Sequence, residues 1–212
     1  MDSLTDRFWR DWERARWSIL PIVCLGLIYL WSCGTSPMRW IFGPTSRQII
    51  QVGALSASLV DDGEVWRLGT TMFLHGDLLH LALNLSALWV LGGLMEAAFG
   101  LLRSSGIALC SGLCGAVFSW AMGAQQTVGF SGSLFGMLSS LVIFGWKYRF
   151  ELGKELSQML GIRLAVLGVL NLLAGFVLPM VDNPSHLGGA LMGVVLGMLF
   201  AQKTNTSLQE KA

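Results

Sequence analysis

Apolar residues in this chain gather into blocks at about 18 to 33, 74 to 98, 105 to 122, 129 to 146, 162 to 180 and 186 to 202, and charged residues fall almost entirely between them. A helix needs roughly 20 apolar residues to cross a bilayer, so the pattern predicts six membrane spans. Several blocks are short, which is tolerable where a helix is enclosed by others or the bilayer is locally thin. The expected layout is a cytoplasmic N-terminal segment at 1–17, a six-span body at 18–202 and a short, polar, disordered cytoplasmic tail at 203–212. Residues 34 to 73 are too many for a turn and too apolar for a solvated loop, with Trp40, Ile41, Phe42, Ile49, Ile50 and Trp66 among polar neighbours. They are expected to lie in the membrane interface, where tryptophan finds both an apolar bed and a wet partner for its N–H.

Composition strengthens this picture. Hydrophobic residues make up 53% and charged residues 13% of the chain, and mean hydropathy is +0.60, giving about half the charge of a typical soluble domain. A net charge of +1 supplies no field for nucleic acid, which is excluded as a partner. Cys24, Cys33, Cys110 and Cys114 lack the spacing of a zinc site or a disulfide framework and read as packing residues; no metal or cofactor is called for. The first apolar block is not read as a signal peptide, because four Arg and four acidic residues precede it and no small-x-small cleavage site follows. Leu30-Trp31-Ser32-Cys33 matches a lipoprotein processing site poorly.

Charge then sets orientation. Only Arg39, Arg47 and Arg67 fall on one side, whereas the other eleven Lys and Arg fall on the opposite side. The excess marks the cytoplasm and places both termini there. Spans two, four and six then run inward, which brings His80 and Asn84, Ser131 and His186 to one level in the outer leaflet.

Those residues are where chemistry is expected. At about 100° per residue, Gly189, Gly193 and Gly197 fall within about 60° of His186, and Gly132, Gly136 and Ser139 form a second small stripe beginning beside Ser131. Facing small stripes let membrane helices approach closely. Packing alone accounts for such glycines, but not for stripes that end in a serine and a histidine. A serine nucleophile needs a base, and neutral imidazole suits that task. Acyl transfer also needs donors for the developing oxyanion; His80 and Asn84, one turn apart on one face, and the Ser131 backbone N–H are candidates.

The chain resembles the rhomboid family of intramembrane serine proteases, of the bacterial six-span core type. The matching text is Gly63-Glu64-Val65-Trp66-Arg67, His75 with His80 and Asn84, Gly92-Gly93 through Glu96, Gly129-Phe130-Ser131-Gly132, and Asn183 through His186 with its glycines, in order over about residues 18 to 202. The resemblance implies an all-α polytopic bundle and an endopeptidase that cleaves membrane-spanning proteins. Ser131 and His186 inherit the roles of a dyad without an acid, and His80 and Asn84 those of oxyanion stabilisers. It further implies supporting roles for His75, Gly129, Gly132 and Gly189, and a membrane-embedded first loop carrying Trp66 and Arg67. Glu96 is read as a structural hydrogen-bonding residue joining span two to a neighbouring loop. A bacterial inner-membrane location, a site opening to the outer face and sideways substrate entry past span five are the corresponding expectations.

Other polar residues receive plainer readings. Asp182 is expected to be a loop residue or helix cap, and Asn171 either bonds a neighbouring helix or faces the substrate path. Gln125, Gln126 and Thr127 are candidates to line a water-filled cavity, and 180–185 to cover it. A rhomboid-fold binding protein that does not cleave would characteristically lack the nucleophile or base, and both are present. A small transporter would show discontinuous helices and repeats, which are not visible. A specialised processing protease resembling the rhombosortases shares all these features.

Overall fold

The computed structural model describes residues 2–178 and 181–201; the expected tail at 203–212 and part of the expected cover at 180–185 lie outside the described residues. The chain opens with α1 (Leu4–Arg14), started by a capping box in which Ser3 and Asp6 exchange bonds, and α2 (Ile19–Cys33). Four short helices follow: α3 (Pro37–Phe42), α4 (Ser46–Gln51), α5 (Ala57–Asp61) and α6 (Arg67–Thr70). The long elements are α7 (Leu78–Phe99), α8 (Leu101–Ala121) and α9 (Ser131–Lys147), then α10 (Lys154–Gln158), α11 (Leu164–Val177) and α12 (Asn183–Phe200). A π turn at Met159–Arg163 joins α10 to α11 as one rod. Among the described residues the only β pairing is one antiparallel bridge, Leu55 with Thr127. The fold is thus all-α, as expected.

Among the described residues four helical stretches are long and apolar enough to cross a membrane: Leu4–Cys33, Leu78–Phe99, Leu101–Ala121 and Lys154–Val177. The other two expected spans form helices of 17 and 18 residues, α9 and α12. Their sequences explain the difference. In α9 protein, more than lipid, surrounds a helix rich in Gly and Ser: ten of its 17 residues are buried, whereas in α11 only Leu164 and Gly168 are; α12 is diluted by its polar first turn, Asn183 to His186, and by its glycines. The lipid-ready surface is carried by Leu79, Leu83 and Trp89 of α7 and by Val166, Leu170 and Phe176 of α11, all exposed.

Several boundaries differ from the apolar blocks. Span two begins at Leu78, where the Asp77 side chain accepts the His80 N–H at 2.8 Å and caps α7. Gly100, at φ 76°, alone turns the chain from α7 into α8, so span three starts at Leu101. Span five starts early, at Lys154, and span six at Asn183, where Asp182 caps α12 and Pro184 occupies its first turn. The N-terminal segment is docked: Phe8 is buried beside Phe144, and the Thr5 hydroxyl donates to the Leu152 carbonyl at 2.6 Å.

The core joins Leu88, Leu91 and Met95 of α7 to Ile107 of α8 and to Met137, Leu141 and Phe144 of α9. α12 packs chiefly on α9 and α8. Any side chain at Gly189 or Gly193 would run into the backbone of Gly132 or Gly136, and one at Gly197 would stand 2.9 Å from the Ser140 Cα. The two small stripes therefore face each other in backbone contact, and the first turns of α9 and α12 are held together at one end of the bundle.

Candidate active site

Ser131 is the first residue of α9, and the chain reaches it through Gly129 in the left-handed region at φ 130°. Glycine is required there for a second reason. A Cβ on Gly129 would lie 2.8 Å from both Cε1 and Nε2 of His80 and 3.8 Å from Nδ2 of Asn84. The turn before the serine is thereby pressed against the two polar side chains of α7.

His186 sits in the first turn of α12, buried, with its Nε2 2.9 Å from the Ser131 Oγ. The separation suits a hydrogen bond, with the imidazole nitrogen able to accept the hydroxyl proton. Phe135, one turn after Ser131 on the same face of α9, stacks on the imidazole with ring centres 4.2 Å apart and planes 18° apart. The other imidazole nitrogen, Nδ1, is buried without a hydrogen-bond partner. Asp182 is engaged elsewhere, accepting the Ser185 N–H at 3.2 Å and the Ser119 hydroxyl. Among the described residues no carboxylate is hydrogen-bonded to the imidazole, which is held between the Ser131 hydroxyl and the Phe135 ring.

Asn84 is buried and its Nδ2 has no acceptor among the described residues. An amide donor left open beside Gly129, in the turn before the serine, is expensive unless something accepts from it. His75 is fully buried and meets His80 edge to face, ring centres 5.1 Å apart. Gly132 completes the close approach: a Cβ there would stand 2.9 Å from the Ser185 Oγ, and one on Gly189 only 3.0 Å from the Gly132 Cα.

The remaining sequence candidates lie apart from this cluster. Arg67 donates to the carbonyls of Ile50 at 2.6 Å and Ala54 at 2.8 Å, pairs with Glu64 and lies over the Trp66 ring, so this pair braces the first loop. Glu96 accepts the N–H groups of Arg16 and Trp17, each at 2.7 Å, tying α7 to the junction of α1 and α2. Asn171 is exposed and donates back to the Leu167 carbonyl of its own helix. Gln125 and Gln126 are exposed, whereas Thr127 is buried in the loop packing. Sequence reading missed Phe135, although its spacing of four from Ser131 was a signal. It also missed the buried hydroxyls of Ser119 and Thr71, for which no local pattern exists.

An all-helical apolar bundle with a serine hydroxyl on an imidazole at one end defines a polytopic membrane protein with the elements of a hydrolase site. The rhomboid domain family matches residues 62–203. RHOMBOID-like protein 5 of Arabidopsis thaliana is 37% identical over 165 residues, 75% of this chain and 52% of that protein. Rhomboid protease GluP of Bacillus subtilis is 34% identical over 145 residues, 68% of this chain and 28% of that protein. Rhomboid-type serine protease 2 of Emericella nidulans is 37% identical over 145 residues, 66% of this chain and 27% of that protein. The chain belongs to the rhomboid family, and it spans from about a quarter to about half the length of these curated relatives.

Proposed function

We propose that the protein is an intramembrane serine endopeptidase that cleaves membrane-spanning protein substrates, its activity residing in the six-span body at 18–202. The observation that carries this reading is the 2.9 Å contact between Ser131 Oγ and His186 Nε2 within a bundle whose outer surface is apolar. Two relatives that bear the name of protease support it.

In this reading the Ser131 oxygen attacks the scissile carbonyl carbon while His186 takes its proton. The carbonyl oxygen becomes an oxyanion that accepts from Asn84 Nδ2, His80 and the Ser131 N–H. Collapse breaks the C–N bond, with His186 returning the proton to the leaving amine. A water then attacks the acyl ester while His186 takes its proton; collapse breaks the ester C–O bond to Ser131, His186 returns the proton to the serine oxygen, and the acyl group departs as a carboxylic acid that ionises to the carboxylate. Donors already placed where charge develops make the largest contribution to such reactions. The charge distribution supports cytoplasmic termini and a site opening to the outer face of the membrane. The weakly covered α11 supports entry of the substrate past that helix.

The test is reconstitution with a panel of single-span membrane proteins, comparing the natural chain with Ser131→Ala and His186→Ala. Cleavage and fluorophosphonate labelling are both expected to disappear in Ser131→Ala, and cleavage in His186→Ala, while insertion and yield persist. Cleavage by purified Ser131→Ala refutes the assignment. A natural chain that binds membrane proteins, takes no label and cleaves none favours a non-cleaving member of the fold.

A further inference from the structure

Hydrogen bonds connect the two halves of the dyad by a route that avoids both catalytic side chains. Asp182, at the head of α12, accepts the Ser185 N–H on one carboxylate oxygen at 3.2 Å and the Ser119 hydroxyl on the other, while its backbone carbonyl accepts the His186 N–H at 3.2 Å. Ser119 lies fully buried near the end of α8, and its Oγ is 3.3 Å from the hydroxyl of Thr127. Because Ser119 spends its proton on the carboxylate, Thr127 must be the donor in that contact. The Thr127 carbonyl accepts the Thr71 hydroxyl, and the Thr71 carbonyl accepts the Gly129 N–H at 3.1 Å. Gly129 is two residues before Ser131. The path thus runs from the cap of the histidine helix, through three buried hydroxyl residues, to the turn that carries the serine.

Two further contacts reinforce the connection. The Leu55 N–H donates to the Thr71 hydroxyl at 3.3 Å, and Leu55 and Thr127 exchange backbone bonds at 3.0 and 3.1 Å, so the first loop is bound to the same path. Ser185, held by Asp182, is wedged between helices: its carbonyl oxygen would stand 2.6 Å from a Cβ on Gly115, and its hydroxyl 2.9 Å from one on Gly132. The capped residue therefore adjoins His186 in sequence and Gly132, the neighbour of Ser131, in space.

We infer that Asp182 and the three buried hydroxyl residues Ser119, Thr127 and Thr71 form a positioning relay that sets the distance between Ser131 and His186, with Ser119 as its central residue. This inference rests on the protease reading above. None of the four need touch substrate. Polar groups buried this deeply are costly unless fully bonded, and a satisfied network of them fixes one geometry. The relay supplies from the backbone side the constraint that an acid supplies in a serine-histidine-aspartate triad.

The test compares Ser119→Ala, Ser119→Thr, Asp182→Asn and the double variant Ser119→Ala/Asp182→Asn with the natural chain and with a control, Ser86→Ala, whose exposed hydroxyl bonds only its own helix. Asp182→Asn keeps an acceptor for the Ser185 N–H, so the cap and the fold are preserved, but it can place an amide donor against Ser119. Fluorophosphonate labelling of Ser131 reports the activated nucleophile without requiring a protein substrate. Ser119→Ala and Asp182→Asn are each expected to slow labelling by about tenfold to 10²-fold, the scale of a misplacement of up to 1 Å. Cleavage should lose kcat with KM unchanged, and Ser119→Thr should retain both activities. The double variant should be no slower than the slower single variant, since both break one path. Hydrogen exchange at the Gly129 and His186 amides should quicken in both single variants. Normal labelling in Ser119→Ala overturns the relay, even with a lowered melting temperature, because the hydroxyls would then only brace the fold. Multiplying effects in the double variant also overturn it. A natural chain that takes no label at Ser131 instead overturns the protease reading itself, and the relay's catalytic purpose with it.

Discussion

Replacing Gly189 by alanine adds one methyl group at the tightest point between α9 and α12, and the structure sets the scale of the result. The new Cβ would lie 2.7 Å from the Gly132 carbonyl carbon and 3.0 Å from its Cα, and it would overlap the carbonyl oxygen itself. These are backbone atoms and cannot rotate aside. Restoring the 2.7 Å contact to the 3.4 Å at which ordinary van der Waals contact begins needs about 0.7 Å of separation, and relieving the closer overlap with the oxygen needs more, so that figure is a lower bound. His186 is one turn earlier on the same helix, so a separation of that size along the contact carries its Nε2 from 2.9 Å to at least about 3.6 Å from the Ser131 Oγ, beyond a working hydrogen bond. A shift approaching 1 Å costs about 10²-fold in rate, and overpacking costs about 1–3 kcal/mol of stability. Gly189→Ala should therefore insert and purify but cleave about 10²-fold more slowly, and Gly189→Leu should be more severe. Proteolysis of a single-span substrate in detergent and in liposomes, with Ser131→Ala as zero and Leu191→Ala on the exposed face of α12 as the matched control, decides the matter. Full activity in Gly189→Ala would mean that backbone contact between the stripes does not set the dyad distance.

Asn84→Ala removes the amide that the proposed mechanism assigns to the oxyanion and spares the nucleophile, so cleavage should fall by about 10²-fold to 10³-fold while fluorophosphonate labelling of Ser131 persists; complete loss or no loss speaks against the role. Phe135→Ala removes the ring stacked on His186, and a stacking contribution of about 0.5–1.5 kcal/mol corresponds to a fall in kcat of up to about tenfold, with Phe135→Tyr close to the natural rate. Glu96→Ala leaves the Arg16 and Trp17 N–H groups without their shared acceptor and should lower stability by about 1–3 kcal/mol, read as an earlier thermal midpoint in detergent. The rate per folded molecule should change little.

The parts of this molecule legible in its sequence are those with a local or periodic signature. Ser131 and His186 could be paired because span parity places both at one membrane level and small stripes run down both helices. Glu96 stood out as a charged residue inside an apolar block. Hydropathy blocks blur ends, however, because a leucine before a cap counts the same as one after it: Asp77 and Gly100, not hydrophobicity, decide where α7 starts and stops. The π turn at Met159–Arg163 is hidden because it changes the hydrogen-bond register without changing composition. Thr71, Ser119 and Asp182 are ordinary residues 48 and 63 positions apart in turn, and only the folded chain brings them together.

The contact between α9 and α12 has a thermal consequence. Most interfaces are made of side chains that can change rotamer, so warming or a change of surroundings lets them slide through many nearly equivalent packings. At Gly132 and Gly136 against Gly189 and Gly193 the nearest atoms are mostly main-chain carbonyls and α-carbons, which have no rotamers to explore. That interface is either closed or open, with little between. The residues proposed to react are therefore mounted where the helices approach most closely, whereas most of α11 is exposed. Heating should preserve the dyad's spacing until the pair separates abruptly, so activity should end in a sharp transition and not fade through a gradual loosening.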